Sequence, residues 1–239
     1  MSCLMNPRRE KGEPRLRGLV LFYINPAEAR RACKLAAELA GRRHFLFNSN
    51  LWEIDSASGT FYICGPAVGA PMAVLVLEKL IALGAEKIIV CGTCGSLQSS
   101  LVIGDILLPV QALSEEGVSA HYPLAEQAFS SETLLILLES FLKDLSLPYR
   151  RGVVCSTDAP YRETLLDIGR YQRDGIAGID MEFSALLTVA AFRRVELAAV
   201  MVVSDQLYGN EWQPGFRHSL FKQRMQLLAK GLLDCIGGG

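Results

Sequence analysis

Short apolar runs alternate with amphipathic stretches along most of the chain. The apolar runs are rich in β-branched residues, which is typical of buried strands, and they cover residues 18–24, 51–54, 60–64, 87–91, 105–110, 151–155 and 197–203. Helical spacing covers residues 26–39, 71–83, 131–145, 161–172, 181–194 and 216–233. This alternation predicts an α/β sandwich with a mostly parallel sheet.

Local signals mark several element boundaries and one domain boundary. Pro26 suits the first turn of a helix, and Gly84 suits the end of one. The apolar run 87–91 stops at the glycine-rich segment Gly92–Gly95, which predicts a turn there. We expect residues 1–17, which are polar and basic, to form an N-terminal tail, and residues 18–236 to form a single domain.

The composition excludes some classes of function. The chain has 239 residues, 50% of them hydrophobic and 21% charged, which is enough to bury a large core in one domain. A formal net charge of −1 gives no indication of nucleic-acid or membrane-surface binding. No uninterrupted apolar stretch approaches the roughly 20 residues of a membrane span. We therefore expect a small-molecule partner, no nucleic acid and no membrane.

The seven cysteines are odd in number, and several lie inside apolar runs. This pattern favours reduced thiols and a cytoplasmic protein rather than a disulfide framework. Cys91 and Cys94 form a single C-x-x-C, but no second Cys/His pair lies nearby, so we expect no metal. The three histidines have no spacing that indicates a catalytic triad.

Two carboxylates stand out because they occur in apolar surroundings. Glu182 lies at the start of a run that predicts a buried helix, and Asp180 is predicted to cap that helix. Asp205 lies at the end of a run that predicts a buried strand. Buried carboxylates usually have partners, so a polar ligand between them is one interpretation. Alternatively, Glu182 could simply interact with the helix dipole at a solvated helix start, and Asp205 could simply belong to a turn. These structural interpretations are equally open.

Two further segments follow predicted strands and could contact a ligand. The glycines around Thr93 would let the backbone approach a ligand closely, while Thr93 adds a hydroxyl. Tyr161 could stack on a planar base or pack in the core. Strand-end glycine segments are often only turns, so each signal is weak alone.

Taken in order, the motifs resemble those of the nucleoside phosphorylase-I superfamily, which includes purine nucleoside and uridine phosphorylases and the methylthioadenosine/S-adenosylhomocysteine nucleosidases. The motifs that carry the resemblance are Gly65–Gly69, Gly92–Leu97, Val102–Ile106, Gly178–Glu182 and Val203–Asp205. The segment Glu116–Pro123 looks most like the uridine-phosphorylase-like branch. The resemblance implies a three-layer α/β/α sandwich around a mixed, mostly parallel sheet.

The resemblance also implies roles for individual residues. Glu182 would bind the ribose hydroxyls, with Met181 packing on the sugar. Asp205, oriented by Ser204, would protonate or hydrogen-bond N7 of a departing purine. The remaining implied substrate contacts are Val68, Thr93, Cys94, Gly95, Pro160 and Tyr161. Thr93 falls where phosphorylases place a phosphate-binding hydroxyl, and Pro160 falls where an aromatic residue is usual.

The chain departs from the phosphorylase pattern at the phosphate site. Val90 and Glu28 stand where that pattern has arginines, and no arginine occurs at residues 47–49. Phosphate is held by cationic forks and N–H groups, so these changes favour hydrolysis, with Glu28 activating water as the nucleosidases do. Arg30, Arg31 or Arg43 could instead replace the missing cations.

Three functions remain open at this point. The first is hydrolytic cleavage of the N-glycosidic bond of a nucleoside, with a purine preferred. The second is a phosphate-dependent phosphorylase, and the third is a catalytically weak homologue that binds a nucleoside. We expect no cofactor apart from phosphate as co-substrate in the second case. We also expect a homo-oligomer, most simply a dimer, because the family completes each site with a neighbouring subunit.

Overall fold

The computed structural model describes residues 4–237, with side chains to residue 235. The strands in that range are β1 (Leu19–Tyr23), β2 (Arg42–Leu46), β3 (Ser49–Ser56), β4 (Gly59–Gly65), β5 (Lys87–Ser96), β6 (Ile106–Glu115), β7 (Tyr149–Thr157), β8 (Ile176–Asp180), β9 (Glu196–Gln206) and β10 (Gln213–Pro214). The α-helices are α1 (Pro26–Glu38), α2 (Ala70–Leu83), α3 (Glu132–Asp144), α4 (Leu165–Arg173), α5 (Phe183–Arg193) and α6 (Ser219–Gly237).

These strands form one sheet in the order β10-β9-β6-β7-β8-β5-β1-β4-β3-β2. Strand β5 also pairs with β9, which closes β5, β9, β6, β7 and β8 into a ring. The long β5–β9 and β6–β7 ladders are parallel, whereas β2, β3 and β4 form an antiparallel meander. The predicted mixed sheet is confirmed, and its closure is an addition that the sequence did not indicate.

Helices cover both faces of the sheet, which makes three layers. One apolar core lies under α2 and α5, and a second lies under α1, α3 and α6. Successive residues of β5 alternate between them, since Ile88 and Val90 belong to the first core and Ile89 and Cys91 to the second. A strand buried on both faces needs apolar residues throughout, which explains the continuous run at 87–91.

Several elements extend beyond or start away from their predicted bounds. Strands β2 and β8 were missed, and the predicted turn at Gly92–Gly95 is wrong because β5 continues to Ser96. The register shifts where Cys94 and Gly95 of β5 pair with Val203 and Asp205, so Ser204 of β9 is the extra residue of a bulge. Strand β9 likewise continues through Ser204 and Asp205.

The helix predicted from residue 181 begins at Phe183, so Glu182 is its N-cap residue and not part of its first turn. Asp180 is therefore not the N-cap residue that was predicted, although its Oδ2 accepts the N–H groups of Glu182 and Phe183 at the start of the helix. The stretch 161–172 is divided between a 3₁₀ turn at Pro160–Arg162 and α4. The last helix starts three residues later than predicted, at Ser219.

Residues 4–17 contain no helix or strand, but they lie against α2. Leu16 is buried, and its N–H donates to the carbonyl of Leu83. The Lys79 ammonium donates to the Arg8 carbonyl and to the Glu13 carboxylate. Residues 1–3 of the predicted tail, including Cys3, lie outside the described residues, as do residues 238–239.

Across the described range, no helix combines the length and the apolar composition needed to cross a membrane.

Candidate active site

A cavity of about 460 Å³ lies at the carboxyl ends of the parallel strands β5 and β9, beside the start of α5. Ligands of α/β sheets bind at this edge. It brings together ten of the sequence-predicted site residues: Val68, Thr93, Cys94, Gly95, Pro160, Tyr161, Met181, Glu182, Ser204 and Asp205. The residues that complete the lining are Asn25, Glu163, Ile179, Asp180, Leu207, Trp212 and Phe216.

Both carboxylate oxygens of Asp205 are held by side-chain donors. The Ser204 hydroxyl donates to Oδ1 at 2.6 Å, and the Trp212 indole N–H donates to Oδ2 at 2.8 Å. Because β9 is an interior strand at this point and both oxygens have donors, the carboxyl group has a defined direction in the cavity.

Glu182 is buried at the start of α5, where its Oε1 accepts the N–H of Gly69 at 2.6 Å. Burial, and next the charge of nearby Asp180, raise the pKa of Glu182 to about 8. Burial also raises the pKa of Asp180, although donors from Ser156, Phe183 and Glu182 oppose that shift. Two carboxyl groups therefore lie close to each other at this end of the cavity. Hydrogen bonds donated by a ligand would stabilise their charged forms.

Gly95 allows β5 to pass close to Asp205. A Cβ at this position would overlap the Leu207 side chain and lie 3.0 Å from Oδ2 of Asp205. The neighbouring Cys94 thiol lines the cavity, but burial raises its pKa far above the usual range. It is therefore a neutral wall group and not a thiolate nucleophile.

Aromatic side chains surround the mouth of the cavity. Tyr161 is 97% exposed, so the interpretation that it packs in the core is wrong. Trp212 and Phe216 meet edge to face with ring centroids 6.5 Å apart. These rings offer apolar faces of the kind that a planar base stacks on.

The chain matches known proteins along most of its length. The family model described as "Phosphorylase superfamily" matches residues 28–235. A guanosine phosphorylase from Halorubrum lacusprofundi is 28% identical over 193 residues, which cover 79% of this chain and 80% of that protein.

Two solved structures share the fold. A purine nucleoside phosphorylase from Toxoplasma gondii superposes with a TM-score of 0.82 at 19% identity, over 100% of this chain and 97% of that chain. A uridine phosphorylase from Vibrio fischeri has a TM-score of 0.76 at 26% identity, over 92% of this chain and 91% of that chain.

This chain belongs to the phosphorylase superfamily. The resemblance drawn from the motifs is thereby confirmed, and with it the prediction of an enzyme from the superfamily that cleaves the N-glycosidic bonds of nucleosides.

In this phosphorylase-superfamily enzyme, the two positions at which the phosphorylase pattern has arginines, Val90 and Glu28, lie away from the cavity surface. Val90 is 1% exposed, in the core under α2 and α5. Glu28 is buried in the first turn of α1 and does not line the cavity, whereas Asn25, three residues earlier, does. Burial raises the pKa of Glu28, while a backbone N–H and Arg31 oppose the shift.

The charged groups that line the cavity of this superfamily member are all acidic. They are Glu163, Asp180, Glu182 and Asp205, and no lysine, arginine or histidine of the described chain joins them. Arg30 and Arg43, which could have replaced the missing cations, are exposed elsewhere. The third candidate, Arg31, is half-buried with an Nη1 that has no hydrogen-bond partner in the described part of the chain, and it does not line the cavity either. The described residues contain no group of three or more His, Cys, Asp or Glu that could hold a metal.

Sequence reasoning missed seven lining residues of this enzyme as site residues, and four of them differ in the signal that they carry in the sequence. Trp212 and Phe216 are aromatic residues in a polar segment after β9, a signal that was available but was not used. Glu163 and Asn25 have no such signal, because a glutamate beside a helix and an Asn-Pro pair are ordinary at loop ends. The Asn25 Oδ1 is buried and finds no hydrogen-bond partner among the described residues.

Proposed function

We propose that this enzyme releases the base of a purine nucleoside by hydrolysis. The observation that carries the proposal is the all-acidic cavity, in which four carboxyl groups and no cation line the described surface. Phosphate is a dianion near neutral pH, and proteins hold it with arginine forks, lysines and N–H groups. Water carries no charge, so the same carboxylates do not repel it.

Cleavage of a ribosyl C–N bond builds positive charge on the sugar and negative charge on the base. Glu182, with Met181 beside it, is the proposed ribose contact, since hydrogen bonds from the ribose hydroxyls would stabilise its carboxylate form. The charge of that carboxylate would then favour an oxocarbenium ion. Asp205, held by Ser204 and Trp212, is the proposed contact to N7 of the base. The aromatic mouth suits a base, with Pro160 and Tyr161 as its proposed neighbours.

Glu28 is the proposed base that activates water. It is an acid in the first turn of α1, close along the helix to the cavity residue Asn25. Burial raises its pKa, which strengthens a carboxylate as a proton acceptor near neutral pH.

Phosphorolysis is the second candidate, and the name of the Halorubrum relative, a guanosine phosphorylase, supports it. In that case Thr93, which lines the cavity at the end of β5, would be the hydroxyl that contacts phosphate. The missing cations would then have to come from a neighbouring subunit.

The test is a panel of guanosine, inosine, adenosine and uridine, with and without phosphate, in which free base, ribose and ribose 1-phosphate are all quantified. We expect base and ribose from purine nucleosides in phosphate-free buffer. Glu28→Gln should lower that rate by roughly 100-fold, whereas Glu38→Gln at the exposed end of the same helix should not. Strict phosphate dependence overturns hydrolysis, and binding of nucleoside without turnover overturns both reactions.

We also propose a homo-oligomer in a compartment that keeps thiols reduced, as in the cytoplasm. The exposed apolar rings of Phe45, on the edge strand β2, and of Phe47, just after it, are of the kind that subunit contacts cover. The proposal of a reducing compartment has separate support, because the described cysteines are all free thiols. Sedimentation at micromolar concentration tests the assembly, and a monomer would contradict it.

A further inference from the structure

Two carboxyl groups face the same part of the cavity in different surroundings. Asp205 lies near the end of β9, whereas Glu163 follows the 3₁₀ turn at Pro160–Arg162 and precedes α4. Both line the cavity, and the charge of Asp205 acts on Glu163. Sequence reasoning assigned a role only to the first of them.

Both carboxyl oxygens of Asp205 are hydrogen-bond acceptors. The Ser204 hydroxyl and the Trp212 indole each donate to one of its two oxygens. Hydrogen bonds donated to a carboxylate stabilise the charged state, in which the group only accepts. Asp205 therefore has the contacts of a resting carboxylate.

The surroundings of Glu163 favour its protonated form. Its carboxyl group is half-buried, and no hydrogen bond or ion pair to it comes from the residues that the structure describes. The acids that face it are Asp205 on β9 and Asp167 on α4, and the cavity adds Asp180 and Glu182 but no cation. Burial, followed by the charges of Asp205 and Asp167, raises the pKa of Glu163 to about 7.

We infer that Glu163 and Asp205 form an acid pair for the departing base, in which Glu163 carries the proton and Asp205 is the ionised partner. This inference rests on the proposed cleavage of a purine nucleoside. Two carboxyl groups whose surroundings differ in this way take different roles in one site. Glu163 is therefore a catalytic residue that the family resemblance did not supply.

The proton balance of the step is complete. As the C1′–N9 bond breaks, the base takes the bonding electron pair and receives at N7 the proton of Glu163, which is left as a carboxylate. Water adds its oxygen to C1′ and loses a proton to Glu28. After release of base and ribose, Glu28 returns its proton to solvent and Glu163 takes one back.

The test compares guanosine with 7-methylguanosine, whose cationic base leaves without needing a proton. We expect Glu163→Gln to lower kcat/KM for guanosine by roughly 100-fold and to leave 7-methylguanosine within a few-fold of wild type. Glu126→Gln, an exposed glutamate in the loop before α3, is the matched control and should change neither. Equal losses on both substrates would indicate a structural role for Glu163 and overturn the inference.

The pH profile supplies an independent readout. Wild-type kcat for guanosine should fall as pH rises through about 7, because Glu163 loses its proton there. Glu163→Gln should lack this limb, and Asp205→Asn should move it to lower pH, because the like charge that raises the pKa of Glu163 is gone. A limb unchanged in Glu163→Gln overturns the inference. A wild-type enzyme that cleaves neither nucleoside instead overturns the proposed function.

Discussion

The indole N–H of Trp212 donates a 2.8 Å hydrogen bond to Oδ2 of Asp205, so a residue beyond the end of β9 orients a carboxylate within it. The two residues are seven positions apart, and β10, which follows Trp212, pairs back onto this part of β9. The hairpin therefore holds an aromatic ring over the carboxyl group. Its contribution can be measured because phenylalanine keeps the ring and removes the donor.

Trp212→Phe should lower kcat/KM by roughly three- to tenfold. A hydrogen bond to a charged group is worth about 1.5–3 kcal/mol, but Trp212 is 57% exposed, so water can replace part of the lost bond. Steady-state kinetics measure the effect. Trp52→Phe is the control because Trp52 lies outside the cavity lining, and an equal loss there would show that the effect is not local.

Asp205→Asn should lower kcat/KM by roughly 10²–10⁴-fold while the protein remains folded. The amide keeps the shape of the side chain but can neither take up nor pass on the proton that the departing base receives. Kinetics and thermal unfolding should be measured together, with Asp144→Asn at the exposed end of α3 as control. Near-normal turnover would refute a role in protonating the base and reopen pyrimidine nucleosides as substrates.

Gly95→Ala should lower activity much more than Gly92→Ala, although both glycines lie in β5. A Cβ at Gly95 would overlap Leu207 and crowd Oδ2 of Asp205 at 3.0 Å. A Cβ at Gly92 would meet only Ile24 Cγ1, at an ordinary 3.9 Å. Comparing kcat/KM and the unfolding temperature of the two variants tests this. Equal activities would show that the cavity tolerates a shift of Asp205.

Glu182 should make the folded state less stable as pH rises from about 4.5 toward about 8. Its folded pKa is raised by burial and by Asp180, so the folded state binds the proton more tightly than the unfolded state does in this window. Protonation at low pH removes the free-energy cost of a buried negative charge beside Asp180, and ionisation at higher pH restores that cost. Denaturant unfolding at several pH values measures the slope.

Glu182→Gln should flatten that slope while keeping an acceptor for the Gly69 N–H. Part of the slope should remain, because the pKa of Asp180 is also raised. The same variant should bind ribose less well and lower kcat/KM. A pH dependence identical to wild type would contradict the buried, crowded position of Glu182.

The local elements followed from sequence patterns where the pattern is strong. Helix α2 was predicted because its apolar face ends at Gly84, which adopts the left-handed conformation that favours glycine. Strand β8 was missed because its five residues include Gly178, a weak strand former. The position is tight, because a Cβ there would lie 3.1 Å from Sγ of Cys94, in a segment distant along the chain.

The sequence by itself determined the alternation of strands and helices, the family, and ten of the residues that line the cavity, because periodicity and short motifs are local properties. Tertiary structure decided what those motifs became. Gly92–Gly95 is a strand and not a turn, since β5 is paired along this segment with β9 and β8. It also decided that Trp212 contacts Asp205, that Glu163 lines the same cavity and that no described cation faces it, because these positions depend on how distant segments pack together.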